Sequence, residues 1–96
     1  MPENSFTLKI ITPTEVFFEG QAVSVVAPGA LGYLGILPNH APFITTVSKG
    51  NLTVRDPQEK TQVFQVEGGF LEVLNNQVLV LTDHVNSGEK AHFAVY

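Results

Sequence analysis

The 96-residue chain has no cysteine and no tryptophan, a single methionine, and only five lysines and arginines against nine aspartates and glutamates. Each shortage removes a class of reading. Without cysteine there is neither a disulfide framework nor a thiolate metal site, a usage that fits a reducing compartment without proving one. With a formal charge of -4 and no basic cluster, the chain cannot neutralise a phosphate backbone, which argues against nucleic acid as a partner. Long apolar runs are also missing. A bilayer helix takes about 20 predominantly apolar residues, whereas the best runs here are Ala22-Val23-Ser24-Val25-Val26-Ala27 and Val78-Leu79-Val80-Leu81. The opening Met1-Pro2-Glu3-Asn4-Ser5 is acidic and polar, so no signal peptide is expected and any membrane link is indirect.

Hydrophobic residues make up 44% of the chain and charged residues 15%, enough for one small globular domain. Apolar side chains recur at period two, as in Phe6, Leu8 and Ile10, Val16 and Phe18, Val23 and Val25, Phe43 and Val47, Leu52 and Val54, and Phe64 and Val66. That is strand spacing. Turn-forming clusters separate the runs: Thr12-Pro13-Thr14, Glu19-Gly20-Gln21, Pro28-Gly29-Ala30, Ser48-Lys49-Gly50, Asp56-Pro57-Gln58 and Leu74-Asn75-Asn76-Gln77. The pattern predicts an all-β fold, a small antiparallel β-sandwich or flattened barrel of about 8–10 short strands. Asn75-Asn76 predicts a tight primed turn pairing Phe70–Leu74 with Gln77–Thr82. Val78 to Leu81 is apolar on both faces, so this strand is covered either by core twice or by core and a partner. The sandwich is expected over residues 1–85, with 86–96 a short tail that reads either as a helix cap or as a strand.

The densest segment is Leu34-Gly35-Ile36-Leu37-Pro38-Asn39-His40-Ala41-Pro42, where two prolines fix the backbone of an ordered corner. His40 within it reads either as a turn histidine satisfying backbone groups or as a contact residue. Asp83, His84 and His92 could join it as metal ligands, but their separations match no compact ligand spacing. Gly68-Gly69 lacks the Lys-Ser/Thr of a phosphate loop and reads as a bulge or, second, as a close backbone approach. Phe17 and Phe18 should point to opposite faces of one strand.

The corner segment, with Glu19-Gly20 before it, Gly50 after it, and the runs Gly68-Gly69-Phe70-Leu71-Glu72-Val73 and Val78-Leu79-Val80-Leu81-Thr82-Asp83, resembles the epsilon subunit of F-type ATP synthases in order and spacing from about Phe6 to Asp83. The resemblance implies a β-sandwich in the central stalk that couples rotation of the membrane c-ring to the gamma shaft during proton-driven ATP synthesis. It implies a non-catalytic part with no cofactor and no small-molecule substrate. By residue-wise analogy it places Thr12, His40, Ala41, Pro42 and Thr45 toward gamma, and Leu31, Gly32 and Tyr33 toward the c-ring. It implies a peripheral position at the cytoplasmic face of the bacterial inner membrane, with the stromal face of the plastid thylakoid second. Many family members carry acidic residues in the ring-facing loop. Ala30, Leu31 and Tyr33 offer none, so packing or main-chain hydrogen bonds would replace charge there. The family also continues into a C-terminal helical hairpin; with the sequence stopping at Tyr96, coupling without hairpin-type inhibition is expected. The rival reading is a stand-alone carbohydrate- or metal-binding β-sandwich module using His40, Asp83 and His84, with a small hydrolase last.

Overall fold

The computed structural model describes residues 4–87. Ten strands follow one another: β1 (Phe6–Ile11), β2 (Val16–Ala22), β3 (Ser24–Gly29), β4 (Gly32–Ile36), β5 (Phe43–Thr46), β6 (Gly50–Arg55), β7 (Thr61–Glu67), β8 (Phe70–Leu74), β9 (Gln77–Leu81) and β10 (His84–Ser87). They form two five-stranded sheets. Sheet A has the order β2-β1-β9-β8-β5 and sheet B the order β10-β7-β6-β3-β4. The inward side chains of both, among them Phe6, Leu8, Ile10, Val25, Ile36, Leu52, Val54, Leu71, Val73, Val78 and Val80, make one continuous core. The sandwich is open rather than a closed barrel, and an isolated bridge between Gly29 and Val47 joins the sheets at one edge.

Several expectations need correction. The sandwich is not wholly antiparallel, because β1 lies parallel to β9, with Leu8 opposite Val78 and Ile10 opposite Val80. Glu19-Gly20-Gln21 is not a turn but the middle of β2, where Gly20 pairs with Leu8. The Phe18 ring covers the vacant side of Gly20, at 3.3 Å from where a Cβ would sit, so an aromatic neighbour supplies the packing that glycine lacks. Phe17 and Phe18 do not split between faces. Phe18 pairs with Ile10 and Val16 with Ile11, leaving Phe17 as the extra residue of a β-bulge. Both rings therefore meet Phe64, at centroid distances of 6.0 and 5.2 Å, while Val16 is left exposed.

Gly68-Gly69 is the two-residue connection from β7 in sheet B to β8 in sheet A, not a bulge. Both have positive φ, 81° and 104°, and a Cβ on Gly69 would collide with the Leu81 carbonyl. The backbone that comes close is the chain's own. Asn75-Asn76 forms the expected primed turn, with φ of 51° and 60°. The Asn76 side chain then ties three segments together: its Oδ1 accepts from the Asn39 amide at 2.7 Å and its Nδ2 donates to the Ser5 carbonyl at 2.8 Å. Strand β10 crosses position 85, where the sequence put the end of the sandwich. The rest of the tail expected at 86–96, from residue 88 onward, lies outside the described residues.

Candidate docking surface

In β8 the alternation is clean: Leu71 and Val73 are buried, while Phe70, Glu72 and Leu74 face outward. Pairing carries this alternation across sheet A. Phe70 lies opposite Leu81 and Thr46, and Glu72 lies opposite Leu79 and Ile44. Ile11 stands beside Leu81 and Lys9 beside Leu79 on the parallel neighbour. The outer face of sheet A thus presents an apolar stripe, with Ile44 63% exposed, Phe70 52%, Leu74 46% and Leu81 43%. Contiguous apolar exposure of this kind on a small domain marks a surface that another molecule covers.

Three shallow depressions run along the stripe. One is bounded by Pro42, Phe43 and Leu74, the next by Ile44, Phe70, Leu79 and Leu81, and the last by Ile11, Thr12, Thr46 and Asp83. Among the described residues no group of three or more His, Cys, Asp or Glu is arranged to hold a metal ion.

The residues expected at the gamma contact are divided by the fold. Thr12 follows β1 at one end of the stripe, held in its loop by the hydrogen bond from its amide to the Glu15 carbonyl at 2.9 Å. Ala41 and Pro42 are exposed at the opposite end, where the chain enters β5. His40 beside them is turned inward on local partners. Its Nδ1 meets the Ala41 carbonyl at 2.7 Å, and since a carbonyl only accepts, Nδ1 carries the proton. Its ring stands edge-on to Phe43 at 5.9 Å. Thr45 lies opposite the buried Leu71, so its side chain leaves the stripe to Ile44. Its Oγ1 accepts from the Ala30 amide at 3.3 Å and donates to the Thr46 carbonyl at 3.2 Å, which anchors the β3–β4 turn.

The residues expected at the ring contact sit together on that turn. Gly29 pairs with Gly32, leaving Ala30 and Leu31 at the tip, and Gly32 closes it at φ 120°, a backbone that L side chains rarely adopt. Leu31 is as exposed as in a free chain, at 104%. Tyr33 is exposed along its ring, but its hydroxyl accepts from the Asn51 amide at 3.0 Å. The bridge from Gly29 to Val47 sets this turn at the Thr12 end of the sandwich.

Asp83 and His84 also follow β9 at that end, while His40 lies at the other, beside the β8–β9 turn. The five residues of β9 separate them by about 14 Å at roughly 3.4 Å per residue. The structure therefore does not gather the three side chains on which the carbohydrate- or metal-binding alternative relied. His92 lies outside the described residues. Ile44, Phe70 and Leu74, which carry much of the stripe, were not singled out from sequence. The apolar run Val78–Leu81 did signal the stripe, since Val78 and Val80 are core while Leu79 and Leu81 face outward.

The sequence profile of the family described as ATP synthase, Delta/Epsilon chain, beta-sandwich domain, matches residues 5–88. The chain is 42% identical over 84 residues to an ATP synthase epsilon chain of Leptospira interrogans and covers 65% of that protein. It is 44% identical over 86 residues to that of Moorella thermoacetica, covering 64%. With the ATP synthase epsilon chain of Chlorobium limicola it shares 37% identity over 84 residues, 88% of this chain and 96% of the relative. Among solved structures, a chain of the Euglena gracilis mitochondrial ATP synthase OSCP/F1/c-ring assembly superposes with a TM-score of 0.83 at 19% identity, covering 96% of this chain and 62% of the other. At that identity the likeness speaks for the fold. The chain spans about two-thirds of the length of the Leptospira and Moorella relatives.

Proposed function

This chain belongs to the ATP synthase delta/epsilon family through its beta-sandwich domain, and we propose that it is a central-stalk subunit of an F-type ATP synthase, carrying c-ring rotation to the gamma shaft. The observation that carries the reading is the exposed apolar stripe on sheet A, together with a separate exposed leucine-tipped turn at one end of the sandwich. The stripe serves gamma and the turn serves the ring. Its role is mechanical, and coupling asks no catalytic group of this chain.

Magnitudes support using the margins of the stripe as well as its centre. Five strands about 4.8 Å apart, each about five residues long, give a face of roughly 400 Å². A stable interface covers about 800 Å² on each partner. Thr12 and Pro13 at one end and Ala41, Pro42 and Phe43 at the other extend the face toward that area. A rotor part must also resist shear, and the continuous close-packed core between two sheets provides this stiffness. In the bacterial enzyme the subunit sits at the cytoplasmic face of the inner membrane and reaches the membrane only through the ring.

The two contacts can be separated by mutation. Leu31 is fully exposed, so Leu31→Asp leaves the fold intact. Added to an epsilon-depleted enzyme, the wild-type chain should restore proton-linked ATP synthesis. The Leu31→Asp chain should still bind gamma while losing most of that restoration. Full restoration by Leu31→Asp would remove the turn from the coupling path.

A further inference from the structure

One charged residue stands in the middle of the apolar stripe. Glu72 faces outward between Leu79 on β9 and Ile44 on β5, with Phe70 and Leu74 two residues away on its own strand and the same face. Among the described residues the one ion pair is Lys9 with Glu19, at 3.9 Å on the far side of the same face. Glu72 therefore has no cation partner among the described residues. In the free chain water solvates it, but any surface seated on Ile44, Phe70, Leu79 and Leu81 must strip that water away. Burying a carboxylate without a partner is costly, and burying it against a well-placed guanidinium or ammonium recovers much of the loss.

We propose that the gamma surface docking on sheet A carries a single arginine or lysine opposite Glu72, set in an otherwise apolar patch, and that this pair fixes the register of docking. The proposal rests on the gamma-docking reading given above and adds the chemistry of the partner. Charge favours a different protein over a second copy of this chain: the chain carries a net -4, and among the described residues the cation on this face, Lys9, lies 3.9 Å from Glu19. Apolar contacts around the carboxylate supply the affinity. The ion pair discriminates, because an apolar surface slipped by one residue would leave both charges buried and unpaired.

The test is the affinity of the full chain for the gamma subunit of its own enzyme, measured by isothermal titration at low and moderate salt. Three variants are compared with wild type: Glu72→Gln, Glu72→Lys and Ile44→Arg, each checked for unchanged thermal unfolding. Glu72→Gln should weaken binding by 10-fold or more, Glu72→Lys should abolish it, and exchanging the opposing basic residue of gamma for glutamate should restore binding to Glu72→Lys. Glu72→Gln binding as tightly as wild type, while Ile44→Arg abolishes binding, would overturn the ion pair and leave the docking face intact. Unchanged binding by Ile44→Arg would overturn the docking face itself, and the pair with it. Sedimentation showing a dimer of this chain that Glu72→Gln disrupts would replace gamma by a second copy as the occupant.

Discussion

Asn76 shows how one side chain can set both a local conformation and the placement of distant segments. Its positive φ suits the primed turn, and its amide holds the β4–β5 corner to the N-terminal segment through Asn39 and Ser5. Asn76→Gly keeps the backbone freedom and loses both hydrogen bonds, at an expected cost of about 1–3 kcal/mol. Asn76→Ala loses the same bonds and adds left-handed strain, about 1 kcal/mol more. Urea unfolding should rank the two in that order, and equal midpoints would show that φ at Asn76 does not limit the turn. At this scale the sequence was partly legible. The turn followed from the Asn75-Asn76 pair alone, because positive φ is a property of residue type. The tie to Ser5, 71 positions away, could not be read, because it depends on how sheet A assembles.

Strand β2 carries the lesson at the level of elements. Period-two reading located its apolar residues but took Glu19-Gly20-Gln21 for a turn, since glycine between polar residues is the ordinary turn signal. The Phe18 ring lies over Gly20, two residues on and on the same face of the strand, and supplies the packing that glycine lacks in the ladder. The bulge at Phe17 brings Phe17 and Phe18 together on Phe64, which closes this corner of the core. Phe64→Ala should therefore cost about 3–5 kcal/mol. Combined with Phe17→Ala, the loss should fall short of the sum of the single losses, because the two rings share one contact. Additive losses in chemical denaturation would mean that the rings pack independently. The parallel pairing of β1 with β9 was equally hidden, because alternation within a strand says which face is buried but not which strand lies beside it. The same ignorance of register hid Ile44 and Phe70. Only the pairing of β5 with β8 shows that Ile44, rather than Phe43 or Thr45, stands beside Glu72 on the outer face.

Taken whole, the molecule is a stiff block of about 35 × 28 × 26 Å with two separate exposures: a broad apolar face and a narrow apolar tip. The fold class, the strand count and a turn near Pro28-Gly29-Ala30 were legible, since turn chemistry and alternation are local, whereas Leu31 to Tyr33 came from the resemblance alone. The broad face was legible only through Val78–Leu81, whose outward leucines contradict a solvated strand. Thr45 links the two exposures. Its Oγ1 holds the base of the tip through the Ala30 amide while its neighbour Ile44 lies in the face. The absence of cysteine makes the central claim directly measurable, because any cysteine introduced is unique. Ile44→Cys and Leu81→Cys report on the outer face of sheet A, and Gln65→Cys reports on that of sheet B. Maleimide labelling rates, compared for the free chain and for its complex with gamma, should fall at least 10-fold at positions 44 and 81 and stay unchanged at position 65. Labelling at 44 and 81 that is as fast in the complex as in the free chain, with protection at 65 instead, would contradict the account.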